Sequence, residues 1–299
     1  MVGAAPDAGA LDVYLTSTDD ALAASVPQQA GANVDAVGAW LTVNSGSFRL
    51  RVTAAGSETD PRLDVPVLAL TSRQVATLVI SPTTGGVLVQ GLLLSQQGEI
   101  TAQAPTQARV RVASGLSDAG IASLRVGAAA VFANVTAPAV TSYSLVPAGE
   151  QAVVVGVNGA TLPSDTRTLA VGADYTVLVY GSPAAAQVAW VSDDNTLPSD
   201  RARAKIRLVN GVQGLAGNLS MSVDFAPVAN NVAAGAASRH EEVNATTTGR
   251  LSVTVTVTVA GVAQPLFDVG EQTFTAAANC SVFLVGRPTA PVGIVRKDR

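Results

Sequence analysis

The sequence predicts an all-β fold of three tandem immunoglobulin-like antiparallel β-sandwich domains, and three observations carry that prediction. Short segments recur at a spacing of about 100 residues, the mark of a tandem array. Ala108-Arg109-Val110-Arg111-Val112 returns in Arg203-Ala204-Lys205-Ile206-Arg207-Leu208, and Tyr175–Gly181 returns as Cys280–Gly286, with a degraded copy at Val75–Ile80. Helical periodicity is almost absent: Asp19–Ala24 and Val232–His240 allow a turn or two at most. Elsewhere short apolar runs are punctuated by Gly, Pro, Asn and Asp, with turn signals every 8 to 12 residues or so, as a sandwich requires.

The first repeat, residues 1–104, reads as strands at Leu11–Leu15, Ala39–Val43, Phe48–Thr53, Val65–Leu70, Val75–Ile80 and Val87–Leu94. Polar turns such as Asn44-Ser45-Gly46-Ser47 supply the positive φ that hairpins need. The second, residues 105–200, opens with Ala108–Val112 and continues through Ser123–Val126, a Val146-Pro147-Ala148-Gly149 corner, Gln151–Val157 and the Tyr175 strand. Between that strand and the next repeat the chain reads as a polar loop through Trp190. The third, residues 201–299, opens at Ala202 and contains Ser220–Phe225, Leu251–Val259 and the Cys280 strand. Proline-marked polar stretches at Ala104-Pro105 and Pro198-Ser199-Asp200 separate the repeats.

Two strands are informative in themselves. Leu251–Val259 alternates apolar residues with Ser252, Thr254, Thr256 and Thr258, so one face is buried and the other carries hydroxyls without charge. With no Lys or Glu to deter edge pairing, it fits a central strand, with a dedicated contact face as the other reading. The opening strand alternates apolar and cationic residues in repeats two and three. In repeat one only its tail, at Met1-Val2-Gly3-Ala4, is present. An incompletely paired sheet edge is expected there, filled either by residues ahead of Met1 or by a strand from a neighbouring subunit.

Composition narrows the function classes. Of 299 residues 48% are apolar, mostly Ala and Val, and only 4% are aromatic, so the cores rest on β-branched packing. Charged residues are 13%, about half the usual share, and the net charge is −4. No basic patch is available for nucleic acid. No run of apolar residues is long enough for a transmembrane segment, and Met1–Pro6 lacks the form of a signal peptide. The single Cys280 forms no intrachain disulfide and reads as a buried, inert thiol.

No constellation for chemistry emerges, so no catalytic, cofactor-binding or metal-binding residues are assigned. His240 is the sole histidine and reads as a solvated loop residue beside Glu241 and Glu242. Any Ser-His-acid arrangement would need it, and no nucleophile elbow accompanies it. Asp19-Asp20 and Asp193-Asp194-Asn195 gather oxygen ligands but lack a calcium-loop pattern, and read as turn-forming residues. Tyr143, Tyr180 and Trp190 are the few candidates for a glycan platform, with core packing the simpler fate.

The second repeat also resembles a bacterial domain family of unknown function that occurs as tandem copies in secreted and cell-surface proteins. The resemblance rests on the Ala108 opening, the Val146–Gly149 corner, the strand entry Leu169–Val177 and the Asp193-Asp194 pair ahead of the next opening strand. Ala5–Leu15, a Pro-Asp turn leading into Asp12-Val13-Tyr14, is similar to the family's second segment. The resemblance implies a β-sandwich and an extracellular or cell-surface location, and it brings no activity. The resulting expectation is a non-catalytic structural protein that associates with itself as a surface, matrix or filament building block. A second class is an adhesin or carbohydrate-binding array using loops at one end of a sandwich.

Overall fold

The structure, a computed structural model, describes residues 1–83, 86–96, 98–245, 253–259, 261 and 264–299. Within them the chain is strand and turn, with 3-10 turns at Leu22–Ala24 and Pro183–Ala185. The chain divides into two compact units. One comprises Met1–Ala108 with Pro147–Gly149 and Leu169–Asp174, and the other comprises Arg109–Val146, Glu150–Thr168 and Tyr175–Arg299.

The first unit is one sandwich. Its strands are β1 (Val2–Gly3), β2 (Leu11–Thr16), β3 (Gln29–Ala32), β4 (Gly46–Ala54), β5 (Ser57–Leu70), β6 (Ala76–Pro82), β7 (Val89–Ser95) and β8 (Ile100–Gln103). They form two sheets, β3-β2-β4-β5 and β1-β6-β7-β8. Alternating residues of both sheets, including Leu11, Val13, Leu50, Val52, Leu63, Ile80 and Val89, fill the core between them. Each fully buried side chain of this size contributes about 1.5–3 kcal/mol. Asp12, in the Asp12-Val13-Tyr14 motif, is buried too: its carboxylate accepts from the Gly31 N–H at 2.7 Å and the Gly56 N–H at 2.8 Å, tying two turns to β2.

The second unit holds two sandwiches, one for each remaining repeat. Repeat two runs through β9 (Gln107–Leu116), β10 (Ile121–Val126), β11 (Ala129–Thr136), β12 (Ala139–Val140), β13 (Ser144–Pro147), β14 (Gly149–Val157), β15 (Ala160–Thr161), β16 (Asp165–Leu169), β17 (Asp174–Gly181) and β18 (Gln187–Asp193). Repeat three runs through β19 (Arg203–Val212), β20 (Leu219–Val223), β21 (Ala226–Val232), β22 (Glu241–Asn244), β23 (Val253–Val259), β24 (Phe267–Gln272), β25 (Asn279–Arg287) and β26 (Ala290–Lys297). Their sheets match: β12-β9-β17-β18 and β11-β10-β14-β15 in one, β22-β19-β25-β26 and β21-β20-β23-β24 in the other. β23 lies between β20 and β24, the central place its uncharged pattern suits. Leu251 and Ser252 of that predicted run lie outside the described residues.

Four features differ from the sequence reading. The sandwiches are not purely antiparallel: β19 runs parallel to β25 from Lys205↔Asn279 to Val212↔Gly286, and β1 runs parallel to β6. Trp190 lies on a strand, β18, and not in a loop. The Ser220 strand stops at Val223 because Asp224 and Phe225 take positive φ, 48° and 65°, in the turn to β21. Ala39–Val43 is not a strand, and the reason is positional. Its counterpart in repeat three is β22, which pairs with Arg203–Ile206 of the opening strand; that part of the opening strand has no counterpart in β1.

Candidate functional site

The alternation of apolar and cationic residues on the opening strands decides where the charges go. On β19, Ala204, Ile206 and Leu208 enter the core of their own sandwich. Lys205, Arg207 and Val209 occupy the other face, as Arg109, Arg111 and Ala113 do on β9. A face bearing two cations looks destined for solvent, yet Arg109, Arg111, Lys205 and Arg207 are all buried. The outer faces of repeats two and three pack against each other. Between them lies a second core of Ala113, Leu178, Val209, Phe283 and Val285.

The packing is reciprocal. Arg111 donates through Nε to Thr176 Oγ1 at 2.8 Å in its own repeat and pairs through Nη1 with Asp298 of the other. Arg207 donates through Nε to Ser281 Oγ at 2.9 Å in its own repeat and pairs through Nη2 with Asp193 of the other. Thr176 in turn donates to Asp193, and Ser281 to Asp298. Each repeat thus contributes one arginine, one hydroxyl and one carboxylate, and each arginine closes on the other repeat's carboxylate. That is the form of an isologous two-fold contact, here made within one chain.

Tyr143 completes the arrangement. Its hydroxyl donates to Asp193 Oδ2 at 2.6 Å and accepts from Asn195 Nδ2 at 3.0 Å. The Arg109 and Arg111 guanidinium groups lie over its ring at 4.6 and 4.5 Å, in cation–π range. Asn279 Nδ2 donates to the Asp194 carbonyl at 2.7 Å, and Arg299 Nη1 donates to the Asn195 carbonyl at 3.0 Å. At the margin Lys205 Nζ pairs with Asp194 at 2.9 Å.

The electrostatics follow from these contacts. Burial alone would raise the Asp193 carboxyl, but Arg207 and then Arg111 outweigh it and hold it below the usual carboxylate range. Asp194 is held near 2, because the Thr196 hydroxyl and Lys205 more than offset its partial burial. His240 lies beside this cluster and is no solvated loop residue. Burial first, then the Arg207 and Lys205 charges, push it down to about 3, so it is neutral at physiological pH. Its Nε2 is buried without a hydrogen-bond partner. Cys280 is buried, and burial pushes its thiol up to about 12, which leaves it inert.

The oxygen clusters singled out in the sequence serve other ends. Asp193 is engaged by two arginines, Tyr143 and Thr176. Asp20 accepts from the Ser17 N–H through its side chain and from Arg51 through its carbonyl, as a turn residue does. Among the described residues no group of three His, Cys, Asp or Glu side chains is placed to hold a metal ion. No helix among them is long and apolar enough to cross a membrane.

Trp190, on β18, is half-buried, with Tyr175 edge-on at 6.1 Å and the Arg167 guanidinium 5.8 Å from its ring. Sequence reasoning missed Arg111, Arg207, Thr176, Ser281 and Asp298 as a set. A signal was available: Thr176 to Asp193 and Ser281 to Asp298 are both separations of 17 residues. Residues 108–214 match the family model of a domain of unknown function (DUF4397). The match runs from the opening strand of repeat two through the opening strand of repeat three, and so includes both arginines. No curated protein matches the chain.

Proposed function

We propose that this chain is a non-catalytic structural protein of the cell surface or extracellular matrix, and that it associates with copies of itself. One observation carries the reading. A chain with only 13% charged residues places Arg109, Arg111, Arg207, Asp193 and Asp298 inside a repeat-to-repeat contact, so fewer still are left to keep the exterior soluble. Large apolar side chains meanwhile stand exposed at Val26, Val37, Trp40, Val67, Ile100 and Phe225. Such a surface favours cover by like subunits. The location rests on the resemblance to a secreted tandem-domain family. Electron microscopy of material from its source, with light scattering of the recombinant chain, tests the reading. Filaments, sheets or concentration-dependent oligomers are expected, and a stable monomer at millimolar concentration overturns it.

A second reading, a carbohydrate-binding array, is favoured by one site: the half-buried Trp190 with Tyr175 at its edge and Arg167 at its face, a flat aromatic beside a donor. Glycan-array binding that is lost in Trp190→Ala supports it. Absence of any glycan binding removes it.

A further inference from the structure

The outer face of the β1-β6-β7-β8 sheet in the first unit can be matched to repeat three residue by residue. Val2 bridges Val37 as Val209 bridges Ala237. Val2 pairs with Val79 as Val209 pairs with Phe283, and Val79 pairs with Leu92 as Phe283 pairs with Ile294. Repeat two has the same row, where Ala113 pairs with Val140. In repeats two and three these positions make the second core: Ala113, Val209 and Phe283 are buried in it, and Val140, Ala237 and Ile294 pack against it. Repeat one therefore carries an aliphatic residue, Val2, Val37, Val79 or Leu92, at each position that joins the other two repeats.

In repeat one the row is open. Val37 is 77% exposed, and Val2, Val79 and Leu92 are half-buried, where Val209 and Phe283 are wholly buried. Each of the four lies beside a paired neighbour in the sheet, so what it lacks is cover on its face and not a strand at its side. β8, which has no counterpart in the matching sheets of repeats two and three, widens the row: Leu94 pairs there with Ile100, which is 66% exposed. Thr77, Gln90 and Ala102, which share this side of the sheet, are uncharged.

On the premise of the self-association put forward above, we propose that this face of the first unit docks on the same face of a second copy. The joint is an isologous dimer contact, repeating between chains what repeats two and three do within one. The occupant follows from the pattern. The face matches, position by position, surfaces that are seen to close on their own kind. Those surfaces on repeats two and three are spent on each other, which leaves the repeat-one face of another copy. Its row of aliphatic side chains carries no charge, so apposing it with itself buries apolar area without like-charge repulsion, as the cores of homodimer interfaces do. A two-fold contact closes on a pair, so any assembly larger than a dimer needs a second joint.

The test uses the full chain with its Ile, Leu and Val methyl groups labelled, diluted from millimolar to micromolar concentration while light scattering records its mass. The wild-type chain is expected to pass from dimer to monomer, with the methyl resonances of Val37, Val79, Leu92 and Ile100 shifting in step. Those of Val26, 78% exposed but outside the face, are expected to stay in place. At saturation no methyl resonance is doubled, because both copies offer the same surface. Val37→Lys combined with Ile100→Lys, both at exposed positions, is expected to weaken dimerisation at least about tenfold at an unchanged urea midpoint, and Val26→Lys to leave it as it was. If the double variant loses stability, the methyl shifts of the wild-type chain decide alone. A double variant that associates like the wild type overturns the proposal and leaves self-association standing on another surface. Doubled resonances at saturation, or shifts at Val26 without shifts at Val37, do the same. A wild-type chain that stays monomeric at millimolar concentration overturns the self-association reading and the proposal with it.

Discussion

Arg207 leaves its own repeat to close an ion pair on Asp193, and both side chains are almost wholly withdrawn from solvent. With its mirror pair, Arg111 and Asp298, it makes two sandwiches into one unit. A buried pair of this kind does little for stability in itself, since desolvation offsets the attraction. What it does is penalise every other way of apposing the two faces, because any other leaves a buried charge uncompensated.

Removing one partner should therefore be severe, and removing both mild. Asp193→Asn is expected to destabilise the second unit by about 3–5 kcal/mol, leaving Arg207 without its carboxylate. Asp193→Leu combined with Arg207→Met should recover more than half of that loss. Urea unfolding of the single and double variants measures both. A double variant as unstable as the sum of its parts would show that the pair itself, and not the orphaned charge, carries the energy.

Two glycines set how closely the faces meet. A Cβ on Gly115 would lie 2.9 Å from Val285 Cβ and Cγ1, and one on Gly211 would lie 2.9 Å from Val285 Cγ1 and 3.0 Å from Leu178 Cδ1. The two positions correspond, each four residues after the paired arginine. Gly211→Val should cost at least about 1–3 kcal/mol by overpacking. Because the damage falls on the contact between repeats, limited proteolysis should open the Asp193–Asp200 stretch before either sandwich. Unchanged resistance there would place the strain elsewhere.

Much of this was legible in the sequence, and what was not has a physical reason. Period-two alternation and recurrence revealed the sandwiches, since each core needs one apolar face per strand. The same alternation on Ala108–Val112 and Arg203–Leu208 gives no destination for the cations, because burial of the outward face is set by a partner surface remote in sequence. Asp193 was visible as half of an acidic pair, but its partners Arg207, Tyr143 and Thr176 lie on three other strands or loops. Asp298, near the end of the chain, gave no local pattern at all. Trp190 reads as part of a loop because Ser192–Asn195 is turn-rich and the strand that carries it, Gln187–Asp193, is short and alternates only weakly.

His240 is expected to make the second unit sensitive to mild acid. Folded, it is held near 3, while in the unfolded chain it regains its ordinary value of 6.5. Between those limits the unfolded state binds more protons, so stability falls as pH falls from about 6.5 towards 3, by at most about 1.4 kcal/mol per unit. Asp194, held near 2 against an ordinary 3.8, adds a separate loss below about pH 4. Urea midpoints from pH 8 to 3 should show both windows. His240→Gln should flatten the upper one and leave the lower intact; an unchanged slope above pH 4 would exclude His240 as its source.

Phe225 stands at the tip of the β20–β21 hairpin, 94% exposed and with φ of 65°. Turns of this kind need positive φ, which glycine adopts freely and a bulky aromatic resists. The corresponding hairpin of repeat two, between β10 and β11, places Gly127 at its turn with φ of 58°. Left-handed backbone at a non-glycine residue costs roughly 1–2 kcal/mol, and full exposure returns nothing in packing. Phe225→Gly is therefore expected to raise the stability of the isolated chain by about 1 kcal/mol, read as a higher urea midpoint at unchanged slope. If the ring is covered in the assembled state, the same substitution should weaken association measured by light scattering. A variant that is both more stable and equally able to associate would leave the strained aromatic without a role in the contact.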